Sequence, residues 1–193
     1  MSVVRRTRGL LDISGSAEIL RRYLVVNGFD GALTMLGLII GFLFSASGDL
    51  NAVANTCLAA AIALGMSGVS SAYVSEVAER KHQLEKLQGA MITDLSDTKY
   101  GAAARWVPLL VALVNGSAPL VFCLLIISPL WLAQAGIALP LPPLQLSILI
   151  AFALIFVLGV LLGRIAEVSW LRSGIQTMLV AAITVALIYA LTT

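Results

Sequence analysis

The feature that most constrains this chain is a set of five long apolar runs, each close to the roughly 20 residues that a helix needs to cross a bilayer. The runs extend over about residues 24–45, 52–75, 106–127, 144–165 and 174–191. Only 11% of the 193 residues are charged and 60% are hydrophobic, whereas a soluble domain carries about 25% charged residues. Strands would leave backbone groups unpaired in lipid. The sequence therefore predicts an all-α integral membrane protein with five transmembrane helices.

The chain divides into a short N-terminal segment and one membrane domain. Residues 1–23 form the segment, for which an interfacial helix is one interpretation, and residues 24–193 form the five-helix domain. The only sizeable polar connection covers residues 76–105. No proline or glycine interrupts its first part before Gly89, so we expect the second helix to continue beyond the membrane.

The distribution of basic residues predicts the orientation of the chain. All twelve lysines and arginines fall in or beside the N-terminal segment, the connection 76–105 and the link between the fourth and fifth runs. The positive-inside rule then places the N-terminus in the cytoplasm and the C-terminus outside. Short connections and the lack of a targeting segment suggest a prokaryotic plasma membrane. Nucleic acid is excluded as a partner, because no basic face remains once the helices lie in lipid.

Asp30 is the most informative single residue, because it lies six residues inside the first apolar run. That spacing is roughly 9 Å along a helix. A charge near a bilayer centre costs at least about 2.5–3.5 kcal/mol. A functional carboxylate is the preferred interpretation, and a capping role or simple protonation is the alternative.

A second candidate group follows the second run, where Glu79, His82 and Glu85 are spaced three residues apart. Glu-x-x-His is a spacing that occurs in di-iron helical bundles, so the three residues are a candidate cytoplasmic metal site. Lys81 and Lys86 interleave with them, and a solvated charged helix is the competing interpretation.

Four further intramembrane residues have two interpretations each. Asn115 and Gln176 either line a polar path or only shape helix packing. Gly37 and Gly41 form a small-residue pair at spacing four, which lets helices approach closely. The pair serves either packing within one protomer or a dimer face.

No catalytic constellation is present, so the sequence predicts that the protein is not an enzyme and holds no permanent cofactor. His82 is the only histidine, and there is no nucleophile elbow, phosphate-binding loop or dinucleotide turn. Transport, if it occurs, would therefore be passive or coupled to an ion gradient.

The sequence resembles the vacuolar iron transporter family, which includes the yeast vacuolar iron importer, plant vacuolar iron transporters and nodulin-21-like proteins. The resemblance extends from about Arg22 to Thr192. It is carried by four stretches, NGFDGALTMLGLIIG in the first run, GMSGVSSAYVSEVAER in the second, NGSAPL in the third, and LGVLLGRIAEVSWLRSGIQTMLVAAITVALIYAL in the last two.

This resemblance implies a homodimer whose first helices line a path for metal. It implies export of Fe²⁺ or Mn²⁺ from the cytoplasm in exchange for protons, with Asp30 binding the moving ion. Oxygen ligands suit these metals, and protons compete with a metal for a carboxylate.

The chain departs from the family pattern in its second helix and in its polar connection. Gly68 and Ala72 stand where the family commonly has Met and Glu, and Met66 and Glu76 are nearby candidate substitutes. The long acidic metal-binding insert is missing, so the chain resembles a short member. Transport of another cation or small solute, and a non-transporting membrane scaffold, therefore remain alternatives.

Overall fold

A computed structural model describes residues 16–45 and 49–192. Over these two ranges it contains five α-helices and no β-strand. In chain order they are α1 Ser16–Phe44, α2 Leu50–Met91, α3 Lys99–Gln134, α4 Pro143–Ile165 and α5 Trp170–Thr192. All five are long and apolar enough to cross a membrane, which confirms the predicted all-helical class. Residues 16–23 are continuous with α1, and the rest of the N-terminal segment lies outside the described residues.

The second helix extends well beyond a membrane span. α2 has 42 residues, which corresponds to about 63 Å at 1.5 Å per residue. Because α2 ends only at Met91 and α3 begins at Lys99, the connection 76–105 is largely a helical hairpin with a seven-residue turn, 92–98. The helix thus continues beyond residue 75 as the absence of proline and glycine predicts.

Local hydrogen bonds shape that turn. Ile92 ends α2 in the left-handed backbone region with φ of 49°, and the side chain of Thr98 caps the start of α3. Asp94 accepts hydrogen bonds from the hydroxyl and the backbone N–H of Ser96, at 2.6 and 2.9 Å, and from Gln88 Nε2 at 2.8 Å. These hydrogen bonds, those from Ser96 above all, hold the pKa of the Asp94 carboxyl below its ordinary value.

α1 lies at the centre of the bundle and contacts each of the other four helices. α1, α3 and α4 all contact one another, α2 packs on α1 and α3, and α5 packs on α1 and α4. Within the described residues α2 and α5 do not contact each other. α1 keeps an exposed stripe that includes Val26 and Asp30.

The main core is built from large apolar side chains of α1, α3 and α4. The largest fully buried ones are Met35, Leu36, Ile39, Ile126, Ile127, Leu130, Ile155 and Leu158. Outside this core most large apolar side chains of α5 stay exposed, as expected for a helix whose outer faces contact lipid.

Aromatic and basic residues mark the two ends of the bundle. Trp106 and Trp170 are exposed near the end where α1, α3 and α5 begin, here called the basic end, and Trp131 and Tyr189 are exposed near the opposite end. The lysines and arginines of the described residues all lie toward the basic end. Trp170 and Tyr189 are 19 residues apart, or about 29 Å along α5. That distance matches the roughly 30 Å of a bilayer hydrocarbon core.

Candidate functional site

Asp30 lies inside the membrane-spanning part of α1. It follows Arg22 by eight residues and precedes Phe44 by fourteen, which corresponds to about 12 and 21 Å along the helix axis. Asp30 is exposed on the surface of the protomer. The carboxylate is therefore closer to the basic end and faces outward from the bundle.

The side chain borders a shallow groove of about 120 Å³ between α1, α4 and α5. Its described lining residues are Val25, Val26, Phe29, Asp30, Leu158, Leu162 and Thr177. Asp30 is the one charged residue among them. The hydroxyl of Thr177 lies within hydrogen-bond distance of two carbonyl oxygens, Gly174 O of α5 at 2.8 Å and Ile155 O of α4 at 3.2 Å, so its single hydrogen already has an acceptor.

Within the part of the chain that the structure describes, no hydrogen bond or ion pair engages the Asp30 carboxylate. A charged group on a lipid-facing surface at this depth is costly. The carboxylate therefore needs a proton, a cation, water or a second protein surface.

Met66 and Glu76, the candidate second ligands, do not line this groove. Met66 is 60% exposed on α2. Glu76 is buried and its Oε2 accepts from Arg80 Nε at 3.2 Å, an i, i+4 ion pair within α2. The carboxylate of Glu76 is thus already compensated within its own helix.

The candidate cytoplasmic metal residues Glu79, His82 and Glu85 are exposed on α2 beyond the membrane span. Glu79 accepts from Gln83 Nε2 at 2.7 Å, and Glu85 lies 3.9 Å from Lys81 Nζ. Across residues 16–45 and 49–192, no group of three or more His, Cys, Asp or Glu side chains could hold a metal ion. The structure does not assemble these three residues into a site, and a solvated charged helix describes them.

Asn115 and Gln176, the two candidate polar-path residues, lie apart. Gln176 is exposed on α5, and α5 has no contact with α3 among the described residues. Asn115 is buried, accepts a hydrogen bond from Asn27 of α1 and donates one to Gly68 O of α2 at 2.8 Å. Asn27 was not among the predicted site residues, although it precedes Asp30 by only three residues.

Gly37 and Gly41 have different surroundings. A Cβ atom at Gly37 would lie 3.5 Å from Ile188 of α5, so Gly37 takes part in packing within the protomer. A Cβ atom at Gly41 would meet no described atom within 4 Å. Only Gly41 leaves room for another surface.

Comparison with known proteins adds one distant relative. No family model matches the chain, and no solved structure matches it. Over 171 residues the chain is 28% identical to an uncharacterized protein of Methanocaldococcus jannaschii, covering 86% of this chain and 85% of that protein. The name of that relative specifies no activity, and the function of this chain is inferred from its site.

Proposed function

We propose that the protein is a secondary transporter that exports a divalent metal ion, Fe²⁺ or Mn²⁺, from the cytoplasm in exchange for protons. The observation that carries this proposal is Asp30, a carboxylate inside a membrane span, beside a groove and without a described partner. A group that is costly to keep in the membrane is expected to serve a passing ion.

The chemistry of a carboxylate suits this role. Its oxygens are ligands that Mn²⁺ and Fe²⁺ accept, and a proton occupies the same oxygens when the metal leaves. Competition between metal and proton for Asp30 gives exchange without nucleotide hydrolysis. One carboxylate offers two oxygens, so water or side chains of a second copy must complete the coordination, because Met66 does not line the groove.

The proposal includes a homodimer in which a second copy covers the exposed stripe of α1. Such a contact would remove Asp30 from lipid and place a second Asp30 nearby. The basic end would face the cytoplasm by the positive-inside rule, in the plasma membrane of a prokaryote. The resemblance described above is consistent with this arrangement.

The test is a flux assay in proteoliposomes with a panel of Fe²⁺, Mn²⁺, Zn²⁺ and Mg²⁺, with and without a pH gradient. The wild type is expected to transport Fe²⁺ or Mn²⁺ in a gradient-dependent manner, and Asp30→Ala is expected to lose that flux. Asp30→Ala should remain folded and elute at the wild-type volume on size exclusion, because Ala is a good helix former. Full flux in Asp30→Ala would overturn the assigned role.

A second candidate is transport of another cation or a small solute by the same fold. Glu76 is engaged by Arg80, and Met66 lies outside the Asp30 groove, which leaves the groove without a described second ligand for iron. Anaerobic thermal shifts with Fe²⁺ and Mn²⁺ separate the two, since only a metal transporter should be stabilised by them. If the protein is a membrane scaffold that transports nothing, the wild type will show no flux and Asp30→Asn will be as stable as the wild type.

A further inference from the structure

One buried amide joins three helices beside the candidate site. Asn115 of α3 is only 6% exposed. Its Oδ1 accepts from Asn27 Nδ2 of α1 at 2.5 Å, and its Nδ2 donates to Gly68 O of α2 at 2.8 Å. Asn27 Nδ2 also donates to Tyr23 O within α1, at 2.9 Å.

An amide in an apolar layer is stabilising only when its hydrogen bonds are made, because an unmade one leaves a desolvated polar group. A hydrogen bond also depends on angle as well as distance, whereas apolar packing tolerates small rotations. The Asn27–Asn115 bond therefore restrains how far α1 can turn about its own axis relative to α3.

Asp30 is rigidly linked to this restraint through the α1 backbone. Asn27 and Asp30 are three residues apart, which places them about 60° apart around the helix and about 4.5 Å apart along it. A turn of α1 that moves Asp30 would move Asn27 away from Asn115. At the next residue, a Cβ on Gly31 would come within 2.8 Å of the Pro119 backbone, so α1 and α3 are in close contact at this level.

We propose that Asn115 is a positioning residue that acts through Asn27 to fix the rotation of α1 and hold the Asp30 carboxylate toward the groove shared with α4 and α5. The consequence for transport rests on the proposed function. The orientation of position 30 does not, and it can be measured on protein that transports nothing.

The experiment compares Asn115→Leu, Asn27→Leu and the double variant, with two readouts. Orientation is followed by the rate at which a thiol reagent labels an Asp30→Cys background in membranes. Cys57 and Cys123 are fully buried, and protein without the added cysteine gives the background rate. Stability is followed by thermal unfolding in detergent. Ser117→Ala is the control, since its hydroxyl bonds only Val114 O within α3.

If Asn115 positions α1, stability and the labelling rate at position 30 will respond differently in the double variant. Each single variant removes a hydrogen-bond partner from the other amide and loses stability, although Asn27 Nδ2 keeps its bond to Tyr23 O. The double variant removes both amides and recovers part of that stability. Labelling at position 30 should change in all three and stay changed in the double variant. Asn115→Asp keeps an acceptor for Asn27 and, when protonated, a donor for Gly68 O, and should preserve the wild-type labelling rate.

When Asp30 is kept and only Asn27 and Asn115 are replaced, metal flux should fall about tenfold or more. A displacement of about 1 Å at a functional group can lower a rate up to about a hundredfold. Labelling that is unchanged, or that recovers together with stability in the double variant, would show that Asn115 only packs the bundle. Absence of metal flux in the wild type would instead remove the proposed function and leave the labelling result to decide the positioning role.

Discussion

At the scale of single residues, the carboxylate within the first apolar run and the carboxylate at the end of the second differ in what compensates their charge. Glu76 is buried, and its charge is met by Arg80 one turn further along the same helix. Asp30 is exposed in the protomer, and no described side chain meets its charge. The first arrangement is complete within the protomer, whereas the second requires something outside it. This difference is why the functional assignment rests on Asp30.

The ion pair of Glu76 should matter for stability. Glu76→Ala removes the carboxylate partner of a buried guanidinium, which keeps its hydrogen bond to Gln83 Oε1 at 3.2 Å, and the expected loss is about 1–3 kcal/mol. Glu85→Ala is the matched control, because its i, i+4 pair with Lys81 is exposed and such pairs contribute about 0–1 kcal/mol. Thermal unfolding in detergent checks both. Equal effects of the two substitutions would contradict the account.

At the scale of elements, α2 and α3 form the most closely packed pair, because glycines let their backbones meet. A methyl group at Gly116 would overlap the Val69 side chain and the Gly65 carbonyl, and one at Gly68 would lie 3.0 Å from Asn115 O. The overlap at Gly116 involves backbone, so it cannot be relieved by turning a flexible side chain. The two helices therefore form a closely packed hairpin, to which α1 is joined by its packing on α3 and by the Asn27–Asn115 hydrogen bond.

Gly116→Ala should destabilise the protein by about 1–3 kcal/mol, the usual cost of overpacking. Gly89→Ala, in the part of α2 beyond the membrane, has no described atom within 4 Å of the added methyl and should be neutral or stabilising by about 0.5–1 kcal/mol. The comparison uses thermal unfolding of the two variants in the same detergent. A Gly116→Ala protein as stable as Gly89→Ala would refute the close contact.

The turn between α2 and α3 should loosen in acid. Hydrogen bonds from Ser96 and Gln88 to the ionised carboxylate lower the pKa of Asp94. The stability they give is present above its ordinary pKa of about 4, and it is lost as the pH falls through the lowered value. The protection factors of the amides at residues 92–98, which compare each measured exchange rate with the intrinsic rate at the same pH, should be lower in the wild type at low pH than at pH 7. Asp94→Ala should show low protection factors at both pH values.

The sequence predicts the helices themselves but not the contacts between their faces. The length of each apolar run, and the number of residues between the start of the first run and Asp30, can be counted directly in the sequence. The five helices and the intramembrane position of Asp30 could therefore be predicted. The Asn27–Asn115–Gly68 contact depends on which faces of three separate helices meet, and periodicity does not record it. The same holds for Glu76, because its ion pair with Arg80 becomes visible only when the side chains are placed.

At the scale of the whole molecule, the protomer leaves its central helix partly uncovered. Asp30 and Gly41 are eleven residues apart on α1, which places them within about 20° around the helix. A Cβ at Gly41 has open space beside it, and Asp30 is exposed. A second copy packed on this stripe would satisfy both features, in keeping with the close approach that small residues allow in membranes.

This arrangement predicts a cross-linking pattern. Gly41→Cys should form a disulfide-linked dimer when membranes are treated with a mild oxidant, because the two α1 helices would face each other. Leu149→Cys is the control, since Leu149 is exposed on α4 away from the α1 stripe. Electrophoresis without reductant reads the result. Cross-linking at Leu149 alone, or equally at both positions, would place the interface elsewhere.

The most direct test of the central claim follows metal entry and internal pH together in the same vesicles. Wild-type protein is expected to move Mn²⁺ and protons in opposite directions with a fixed ratio, and Asp30→Asn, which keeps the shape but cannot exchange a proton, is expected to abolish both movements. Coupled movement that persists in Asp30→Asn would contradict the assignment of this carboxylate as the group that metal and proton share.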